Sequence, residues 1–435
     1  MITKVYKRDG AVVSFDQNKI VQAVYKAAAE VGRYDLNLAR KISDRVAEII
    51  EHHFPDAIST VEDIQDVVER VLIEKGYDKI AKAYIVYREK RREMRDRKES
   101  QEIETVPYKI IWRVLVWNLD HACETISKLN GHIKKGTFPK LVKEAEEVYE
   151  QEISDLISAL ERKLGKIRLL SICGPSSSGK TTTTERLARE LNKRGKFSFV
   201  KLNIDNYFCS PKHYLYDDQG DYDCEGPYAL DLPLINRHLA NLMAGREIKV
   251  PRYNFKVGIR EKETDNLRLK PGQILLIDSH FGIYDKLTES VPESEKYKIY
   301  LETFCQLKDK DNRFVRWTDI RLLRRMIRDA QFRSYNPTMT VGHWHYVRRG
   351  EIKNIIPYIS RADYILNTSL PYELPILKYY LFKFLPKIIQ KYKKEPSRQD
   401  AYLRAQRVYS LLKQVNIWRD VSVVPKQSIL KEFIG

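Results

Sequence analysis

The sequence predicts an α/β protein with a parallel sheet covered by helices, preceded by a small, mostly helical domain and a helical connector. From Lys166 onward, strand-like apolar runs alternate with helical stretches, which is typical of such sheets. Before Lys166, apolar residues recur mainly at helical spacing. Because 435 residues exceed one ordinary core, we expect domains at residues 1–97, 98–165 and 166–435.

Composition restricts the class of protein. No apolar run reaches the roughly 18–20 residues of a membrane span, and the first residues lack the apolar segment of a secretion signal. The five cysteines form no CxxC pair, which is typical of reduced thiols and a cytoplasmic protein. The net charge of +18 fits a nucleic-acid partner, a protein that handles nucleotides, or a generally basic surface. We prefer the basic surface and expect neither a membrane nor a nucleic acid as partner.

Residues 1–97 open with a predicted hairpin. Strands at Lys4–Lys7 and Ala11–Ser14 flank a turn at Asp9-Gly10. Asp16 is the predicted N-cap of a helix over Gln17–Val31. Further helical patterns cover Leu36–Phe54, Val61–Lys75 and the residues from Tyr77 onward.

Helices also dominate the connector. Helical stretches are predicted over Ile103–Asn130, which is rich in large apolar residues, and over Leu141–Leu164, which is amphipathic. After the connector, apolar runs predict strands over residues 167–173, 197–202 and 273–277. A helix is predicted over Thr181–Arg194, with Gly195 as its stop signal.

A glycine-rich loop separates the first of these strands from its helix. The segment Gly174-Pro175-Ser176-Ser177-Ser178-Gly179-Lys180-Thr181 fits GxxxxGK[ST] at every fixed position. Glycines let successive N–H groups face a phosphate at the positive end of the helix. Lys180 supplies a cation for phosphate oxygens, and the Thr181 hydroxyl can ligate Mg²⁺. The motif predicts an ATP phosphate site from Gly174 to Thr182.

Two acids follow predicted strands. Asp205 comes shortly after the second strand, where a carboxylate could accept a proton from a hydroxyl group. Asp278 ends the third strand, where it could hold Mg²⁺ directly or through water. Alternatively, either acid is a helix cap or a member of a surface ion pair.

A basic helix is predicted over residues 319–333. One of its faces carries, through i+3 and i+4 spacing, Arg321, Arg324, Arg325 and Arg328. Four cations on one face repel each other unless an anion compensates them, and a triphosphate under a closing lid would do so. The alternative is an exposed basic helix or an RNA-facing surface.

Together these segments resemble the uridine kinase and phosphoribulokinase family of P-loop kinases. Besides the phosphate loop, the matching pieces are Ile204–Phe208, Asp221–Asp223, Ala229–Asp231, Pro251–Phe255 with Arg260, the Arg324–Asp329 lid, Asn367–Leu374 and Ser428–Gly435. The last two segments are similar to a long bacterial and archaeal uridine kinase-like subgroup. The resemblance covers nearly all of residues 166–435.

This resemblance implies transfer of the ATP γ-phosphate to a primary hydroxyl of a nucleoside, with Mg²⁺ as cofactor. Asp205 would be the general base, and Lys180 and Arg328 would stabilise the transferred phosphate. ATP would be bound by the phosphate loop from Gly174 to Thr182, Arg324 and Arg333. The acceptor would be bound by Tyr207, Asp223, Tyr253, Phe255, Arg260 and Arg325. Asp278 and Thr181 would hold the metal.

The sequence departs from the family pattern at the acceptor end. Gly258 stands where uridine kinases usually place a base-reading histidine, and Asn254 stands where they place an aspartate. Ser334 replaces a glycine after the lid, and Asp278-Ser279 replaces Glu-Gly after the third strand. The shorter carboxylate can still hold Mg²⁺ through water. With the same chemistry, the acceptor could be a sugar phosphate, a pantothenate-like alcohol or a glycerate-like acid.

The N-terminal region resembles the ATP-cone, a module that binds ATP or dATP in ribonucleotide reductases and in their transcriptional repressor. The matching residues are Val5–Gly10, Phe15, Lys19-Ile20 and Ala83–Arg91. The resemblance implies a second nucleotide site at Val5, Lys7, Arg8 and Lys19 that senses adenylate supply through the oligomeric state, so we expect a homo-oligomer. A helical dimerisation domain is the alternative for this region. A nucleotide-sensing regulator or RNA-binding protein is the alternative for the chain.

Overall fold

The computed structural model describes residues 4–6, 12–33, 35–53, 59–86, 107–163, 165–194, 198–209, 225–254, 259–333 and 335–435. The chain divides into two compact units. The first is drawn from Met1–Glu104 and Tyr392–Tyr402, and the second from Thr105–Lys391 and Leu403–Gly435. Each unit has a hydrophobic core of its own. The domain boundaries expected near residues 97 and 165 stay a prediction.

The first unit joins a short hairpin to helices. Strand β1 (Lys4–Tyr6) pairs antiparallel with β2 (Val12–Ser14), and the predicted turn between them lies outside the described residues. Helices α1 to α4 span Gln17–Glu30, Leu36–His53, Val61–Glu74 and residues 78–86. The predicted N-cap is confirmed, since the Asp16 carboxylate accepts a hydrogen bond from the Asn18 amide at 3.1 Å.

Among the described residues, helices α5 (Tyr108–Asp120), α6 (Ile126–Lys134) and α7 (Phe138–Glu161) precede the sheet of the second unit. The stretch predicted over Ile103–Asn130 is therefore divided between two helices. Ala122 lies at the break with a φ of +48°, which a right-handed helix does not accommodate. Thr125 then starts α6, because its hydroxyl accepts a hydrogen bond from the Lys128 amide at 3.2 Å.

A parallel sheet forms the centre of the second unit. Strands β3 to β9 span Leu169–Cys173, Ser198–Asn203, Ile248–Asn254, Ile259–Leu267, Gln273–Ser279, Lys296–Glu302 and Tyr364–Asn367. The described residues form a five-stranded parallel sheet in the order β4-β7-β3-β8-β9, and β5 pairs with β6 in a separate antiparallel hairpin. The predicted α/β fold is confirmed. Because the strands are parallel, their carboxyl ends meet at one edge, where Cys173 pairs with Ser279 and Asn203 pairs with Asp278.

Helices cover this sheet and extend beyond it. Helices α8 to α15 span Lys180–Lys193, Leu232–Met243, Trp317–Phe332, Pro337–Asn354, Glu373–Leu381, Leu385–Lys393, Gln399–Gln414 and Lys431–Ile434. Helix α8 follows β3 through the predicted phosphate loop, and its expected stop at Gly195 lies outside the described residues. None of the helices in the described ranges is both long and apolar enough to cross a membrane.

Candidate active site

The predicted phosphate loop runs from the end of β3 into the first turn of α8. Gly174 has no room for a side chain, because a Cβ atom there would lie 2.4 Å from the Leu301 carbonyl oxygen and 2.8 Å from the Ser178 hydroxyl. Gly179 is the N-cap of α8 and has a φ of +86°, in the left-handed region that favours glycine. The loop therefore wraps closely around the positive end of α8, where an anion is stabilised.

Lys180 is buried beneath this loop. Its ammonium donates to the carbonyl oxygens of Gly174 and Pro175, each at 3.0 Å, and lies 3.1 Å from Nδ1 of His280. Burial lowers the pKa of Lys180, and the nearby Asp278 carboxylate opposes that effect. The ammonium thus lies inside the loop, where phosphate oxygens would replace its neutral acceptors.

Asp205 and Asp278 lie at the same edge of the sheet as the loop. Asp278 pairs with Asn203 across β7 and β4, and Asp205 follows two residues later in a 3₁₀ turn. Burial raises the pKa of Asp205, while Arg333 and Lys180 oppose the increase. The pKa of Asp278 is also raised, to about 6, mainly by burial. Lys180 opposes this increase, and the Asp205 carboxylate adds to it. Two acids with perturbed pKa values beside a phosphate loop indicate a candidate site for proton transfer and metal binding.

The residues present fit a magnesium–nucleotide complex. Thr181 is exposed in the first turn of α8, and Asp278 ends on the same edge of the sheet. Within the described ranges, no cluster of three or more His, Cys, Asp or Glu residues could hold a metal alone. Mg²⁺ commonly keeps waters and binds one or two carboxylates together with phosphates, so this sparse ligand set is suitable. Among the described residues, the buried hydroxyls of Ser177 and Ser178 have no hydrogen-bond partner, and both could donate to phosphate.

The arginine face of α10 divides into two groups, of which the first is buried. Nε of Arg321 lies 2.9 Å from a Glu302 carboxylate oxygen, and the guanidinium also pairs with Glu351. Arg324 donates from Nε to Glu373 at 2.6 Å and has no exposed surface. The anions that compensate these two cations are therefore protein carboxylates. The predicted contact of Arg324 with ATP gains no support from this arrangement, because its guanidinium is buried on Glu373.

The second group lies beside the loop. Arg325 donates to the Ser176 hydroxyl at 3.1 Å and to the Glu225 carboxylate at 3.0 Å. Burial alone would raise the pKa of Glu225, but Arg325 and His343 lower it well below its usual range. Glu225 is therefore ionised and fixes Arg325 against the loop. The predicted contact of Arg325 with the acceptor gains no support from this arrangement.

Arg328 and Arg333 complete the cationic side of the site. Arg328 is largely buried and donates to Asp329 at 3.3 Å. Burial and the neighbouring Arg333 lower the pKa of Arg328 to about 10, so it stays charged at neutral pH. Arg333 is exposed at the end of α10, and both arginines lower the pKa of Asp205. The structure therefore places Lys180, Arg328 and Arg333 where their charges act on Asp205, and the roles predicted for these residues stay predictions.

The predicted acceptor residues are only partly described. The Tyr207 side chain is buried, and its hydroxyl lies 2.9 Å from Nδ1 of His238. Arg260 donates to Asp231 at 3.0 Å and to the Tyr207 carbonyl at 3.0 Å. The Tyr253 amide donates a hydrogen bond to the Asn206 side chain at 3.3 Å, which fixes the Tyr253 backbone next to Asn206. The residues Asp223, Phe255 and Gly258 lie outside the described residues. In the described part of this region, Arg260 thus joins Asp231 to the backbone at Tyr207 through hydrogen bonds.

The predicted second nucleotide site belongs to the first unit. Val5 is buried in the core of that unit, so its place in a nucleotide site stays a prediction. Lys19 is exposed, with its ammonium 3.9 Å from the Asp16 carboxylate. Lys7 and Arg8 lie outside the described residues. Of the two predicted residues that the structure describes, Lys19 has the exposed side chain.

Three residues of the active site escape prediction from sequence. His280 contacts Lys180, and burial together with Lys180 holds the pKa of His280 well below its usual value. The imidazole is therefore neutral and can accept a hydrogen bond from the ammonium. Glu225 holds Arg325, and Glu432 accepts a hydrogen bond from the Thr182 amide at 3.0 Å. For Glu432 the sequence does contain a signal, because the segment Ser428–Gly435, which includes it, resembles a kinase subgroup.

Two family models match the chain. Residues 3–93 match the ATP cone domain, and residues 169–372 match the phosphoribulokinase / uridine kinase family. The second range contains the phosphate loop, both acids and the arginines of α10. Both resemblances noted in the sequence are thereby confirmed.

Individual relatives match each part of the chain. The uridine kinase of Deinococcus deserti is 28% identical over 199 residues, which cover 46% of this chain and 86% of that protein. A uridine kinase of Staphylococcus aureus is 26% identical over the same length. The vitamin B12-dependent ribonucleoside-diphosphate reductase of Thermoplasma acidophilum is 45% identical over 105 residues, which cover 23% of this chain and only 13% of the reductase.

Solved structures described as kinases also resemble part of this chain. One is described as a possible uridine kinase from Bacillus stearothermophilus; it is 17% identical, with a TM-score of 0.35, and the match covers 50% of this chain and 98% of that one. Another is the D-glycerate 3-kinase of Cryptococcus neoformans, at 12% identity and a TM-score of 0.26, covering 61% of this chain and 87% of that one.

Proposed function

We propose that this chain, which combines an ATP cone domain with a phosphoribulokinase/uridine kinase family domain, transfers the γ-phosphate of ATP to a primary hydroxyl of a nucleoside. The family match supports an ATP-dependent kinase of a small molecule. The relatives named uridine kinase support a nucleoside as acceptor. The observation that carries the proposal is Asp205, a partly buried acid on which the charges of Lys180, Arg328 and Arg333 act, at the edge where the phosphate loop begins.

In this proposal, Asp205 accepts the proton of the attacking hydroxyl group. Burial raises the pKa of this carboxyl, which makes it a stronger base than an exposed aspartate, while Arg333, Lys180 and Arg328 oppose the increase. Lys180 and Arg328 stabilise the negative charge of the transferred phosphoryl group because both are buried cations with few competing waters. Arg333 approaches the same group from the end of α10.

Thr181 and Asp278 would hold Mg²⁺, with water and phosphate oxygens completing the coordination. When bound, Mg²⁺ neutralises phosphate charge and orients the phosphates for in-line transfer. The phosphate loop contributes the N–H groups at the start of α8, and the Ser177 and Ser178 hydroxyls add further donors. The chain's own residues thus supply the base, the cations and the phosphate cradle.

A second acceptor, a sugar phosphate or another small alcohol, is supported by the state of Arg260. This arginine is hydrogen-bonded to Asp231 and to the carbonyls of Tyr207 and Phe208, so it does not extend toward a nucleoside base. Gly258 also lacks the side chain with which uridine kinases read the base. The kinase chemistry does not depend on this choice.

The acceptor is tested with purified full-length chain, ATP, Mg²⁺ and a panel of nucleosides, sugar phosphates and small alcohols, by following ADP release. We expect a nucleoside to stimulate release most strongly. Asp205→Asn should lower kcat by about 10²–10⁴-fold while ADP binding is retained. Asp265→Asn, which changes an exposed acid of β6, is the matched control and should leave kcat unchanged.

Two results would contradict this proposal. Equal ADP release with every nucleoside, together with stimulation by a sugar phosphate, would assign the second acceptor class. Full activity of Asp205→Asn on the true acceptor would show that Asp205 is not the base.

We also propose that the ATP cone regulates the kinase by sensing adenine nucleotides, and that it does so by changing the homo-oligomeric state of the protein. The support is the family match of residues 3–93 and the exposed Lys19. The domain boundaries at 1–97, 98–165 and 166–435 and the cytoplasmic location stay predictions from sequence.

A further inference from the structure

The segment Ser428–Gly435 packs directly on the phosphate loop. Ile429 lies against Gly179, where an added Cβ would come within 2.9 Å of an Ile429 methyl carbon. Three residues later, the Glu432 carboxylate accepts a hydrogen bond from the Thr182 amide at 3.0 Å. The carboxylate also acts electrostatically on Lys180. Ser428–Gly435 therefore places an acid at the start of α8, within the site proposed to bind ATP phosphates.

This segment is firmly anchored. The Ser428 hydroxyl donates to the buried Glu146 carboxylate at 2.6 Å, and the Tyr372 hydroxyl bonds to the same carboxylate. Phe433 is fully buried beneath the Arg324 guanidinium, which lies 5.2 Å from the centre of its ring. The backbone of α15 is thus fixed. Glu432 itself is only partly buried, so its side chain can move while the helix stays in place.

The Thr182 amide belongs to the first turn of α8, where N–H groups have no partner within the helix. These groups are the ones that bind anions at a helix N-terminus. One N–H carries one proton, so it cannot make a full hydrogen bond to Glu432 and to a phosphate oxygen together. Glu432 also adds negative charge near Asp278 and Lys180, which repels a phosphate that approaches the loop.

We propose that Glu432 is a competing anion of the phosphate site, which holds the Thr182 amide until a nucleotide displaces it. This inference rests on the proposed function, because it assumes that ATP phosphates bind the loop. Glu432 then weakens the nucleotide affinity of the kinase, because the hydrogen bond from the Thr182 amide to Glu432 must be lost before the amide can bind a phosphate oxygen. Removing the acid strengthens binding of nucleotides, whereas a merely structural residue would weaken it.

The test is calorimetric titration of the full-length chain with ADP. Lys180→Ala identifies the part of the signal that comes from the phosphate loop, since the ATP cone can bind nucleotide separately. Because hydrogen bonds to charged groups are the stronger ones, we expect Glu432→Ala to tighten ADP binding at the loop by about three- to tenfold. Glu432→Gln keeps an acceptor and removes the charge, so it should have an intermediate effect. Lys431→Gln removes a charge from the same helical turn and is the matched control.

Hydrogen exchange gives a second readout that needs no ligand. The Thr182 amide should exchange faster in Glu432→Ala than in the parent chain, and it should keep its rate in Lys431→Gln. Unchanged or weaker ADP binding by Glu432→Ala, with loop binding still lost in Lys180→Ala, would overturn the role of Glu432 alone. Absence of any Lys180-dependent binding in all variants would overturn the proposed function and this inference with it.

Discussion

Replacing Asp278 by asparagine is expected to stabilise the second unit at pH 8 while it impairs phosphotransfer. Burial raises the pKa of Asp278 to about 6 from an ordinary value of 3.8. At about 1.4 kcal/mol for each pKa unit, the ionised carboxylate costs the folded state roughly 3 kcal/mol. Asparagine has a similar shape and no charge. The variant should therefore gain up to about 3 kcal/mol in its free energy of unfolding at pH 8.

The sign of the pH dependence follows from the raised pKa. Above about pH 6 Asp278 is ionised in both the folded and unfolded states, so its full cost is present. As the pH falls from 6 to 3.8, the folded protein takes up a proton that the unfolded chain does not, and the cost disappears. The advantage of Asp278→Asn should thus fall by about half at pH 5 and vanish below pH 3.8.

Tryptophan fluorescence during urea unfolding measures this gain in the second unit alone, because that unit contains all five tryptophans: Trp112, Trp117, Trp317, Trp344 and Trp418. Asp265→Asn, at an exposed position, is the control and should not change the free energy of unfolding. In kinase assays, Asp278→Asn should weaken the apparent affinity for Mg²⁺ by about 10- to 100-fold. Destabilisation at pH 8, or a gain that is equal at pH 8 and pH 5, would refute the argument.

Two further predictions concern other parts of the chain. Glu373→Gln leaves the buried Arg324 without its charged partner and should destabilise the second unit by about 3–5 kcal/mol, measured by the same fluorescence assay. Replacing both partners, with Arg324→Met and Glu373→Leu, should be less destabilising. If the double variant is no more stable than Glu373→Gln, the reasoning is refuted. In the first unit, Lys7→Ala with Arg8→Ala should abolish ATP binding to the ATP cone but leave the Lys180-dependent site intact, as measured by calorimetry; an unchanged number of bound nucleotides would contradict the second site.

The phosphate loop and its flanking elements are predictable because their signals are local. Strand β3 is buried along its whole length and carries no charged residue, so it reads as a strand with four apolar residues out of five before the loop. Strand β8 escapes the same reasoning although every residue in it is buried. Its Lys296 and Lys298 interrupt the apolar pattern, and both are paired with Glu293, at 2.7 and 2.8 Å. Burial of a paired charge cannot be recognised from the strand's own sequence.

The arginines of α10 show a second limit of local patterns. Their spacing correctly places them on one helix, but it does not reveal what faces them. Glu351 and Glu373 lie 30 and 49 residues from the arginines they neutralise, on helices that only the folded chain brings close. Arg328 is the member of the group whose charge acts on Asp205, together with Arg333 just after the helix. A cluster of like charges in the sequence therefore predicts that anions neutralise it, but only the structure shows whether those anions are protein carboxylates.

The partners of the phosphate loop suggest how nucleotide binding is balanced. Lys180 is held by two carbonyls, Arg325 by Glu225, and the Thr182 amide by Glu432. Binding of a polyanion therefore exchanges hydrogen bonds, and its free energy is the difference between the new and the old partners. Neutral carbonyls are the weakest competitors for a cation, so Lys180 is released most readily. The Glu432 carboxylate on the Thr182 amide is an anion, as phosphate is, so we expect it to be the strongest of these competitors and to set the affinity of the loop.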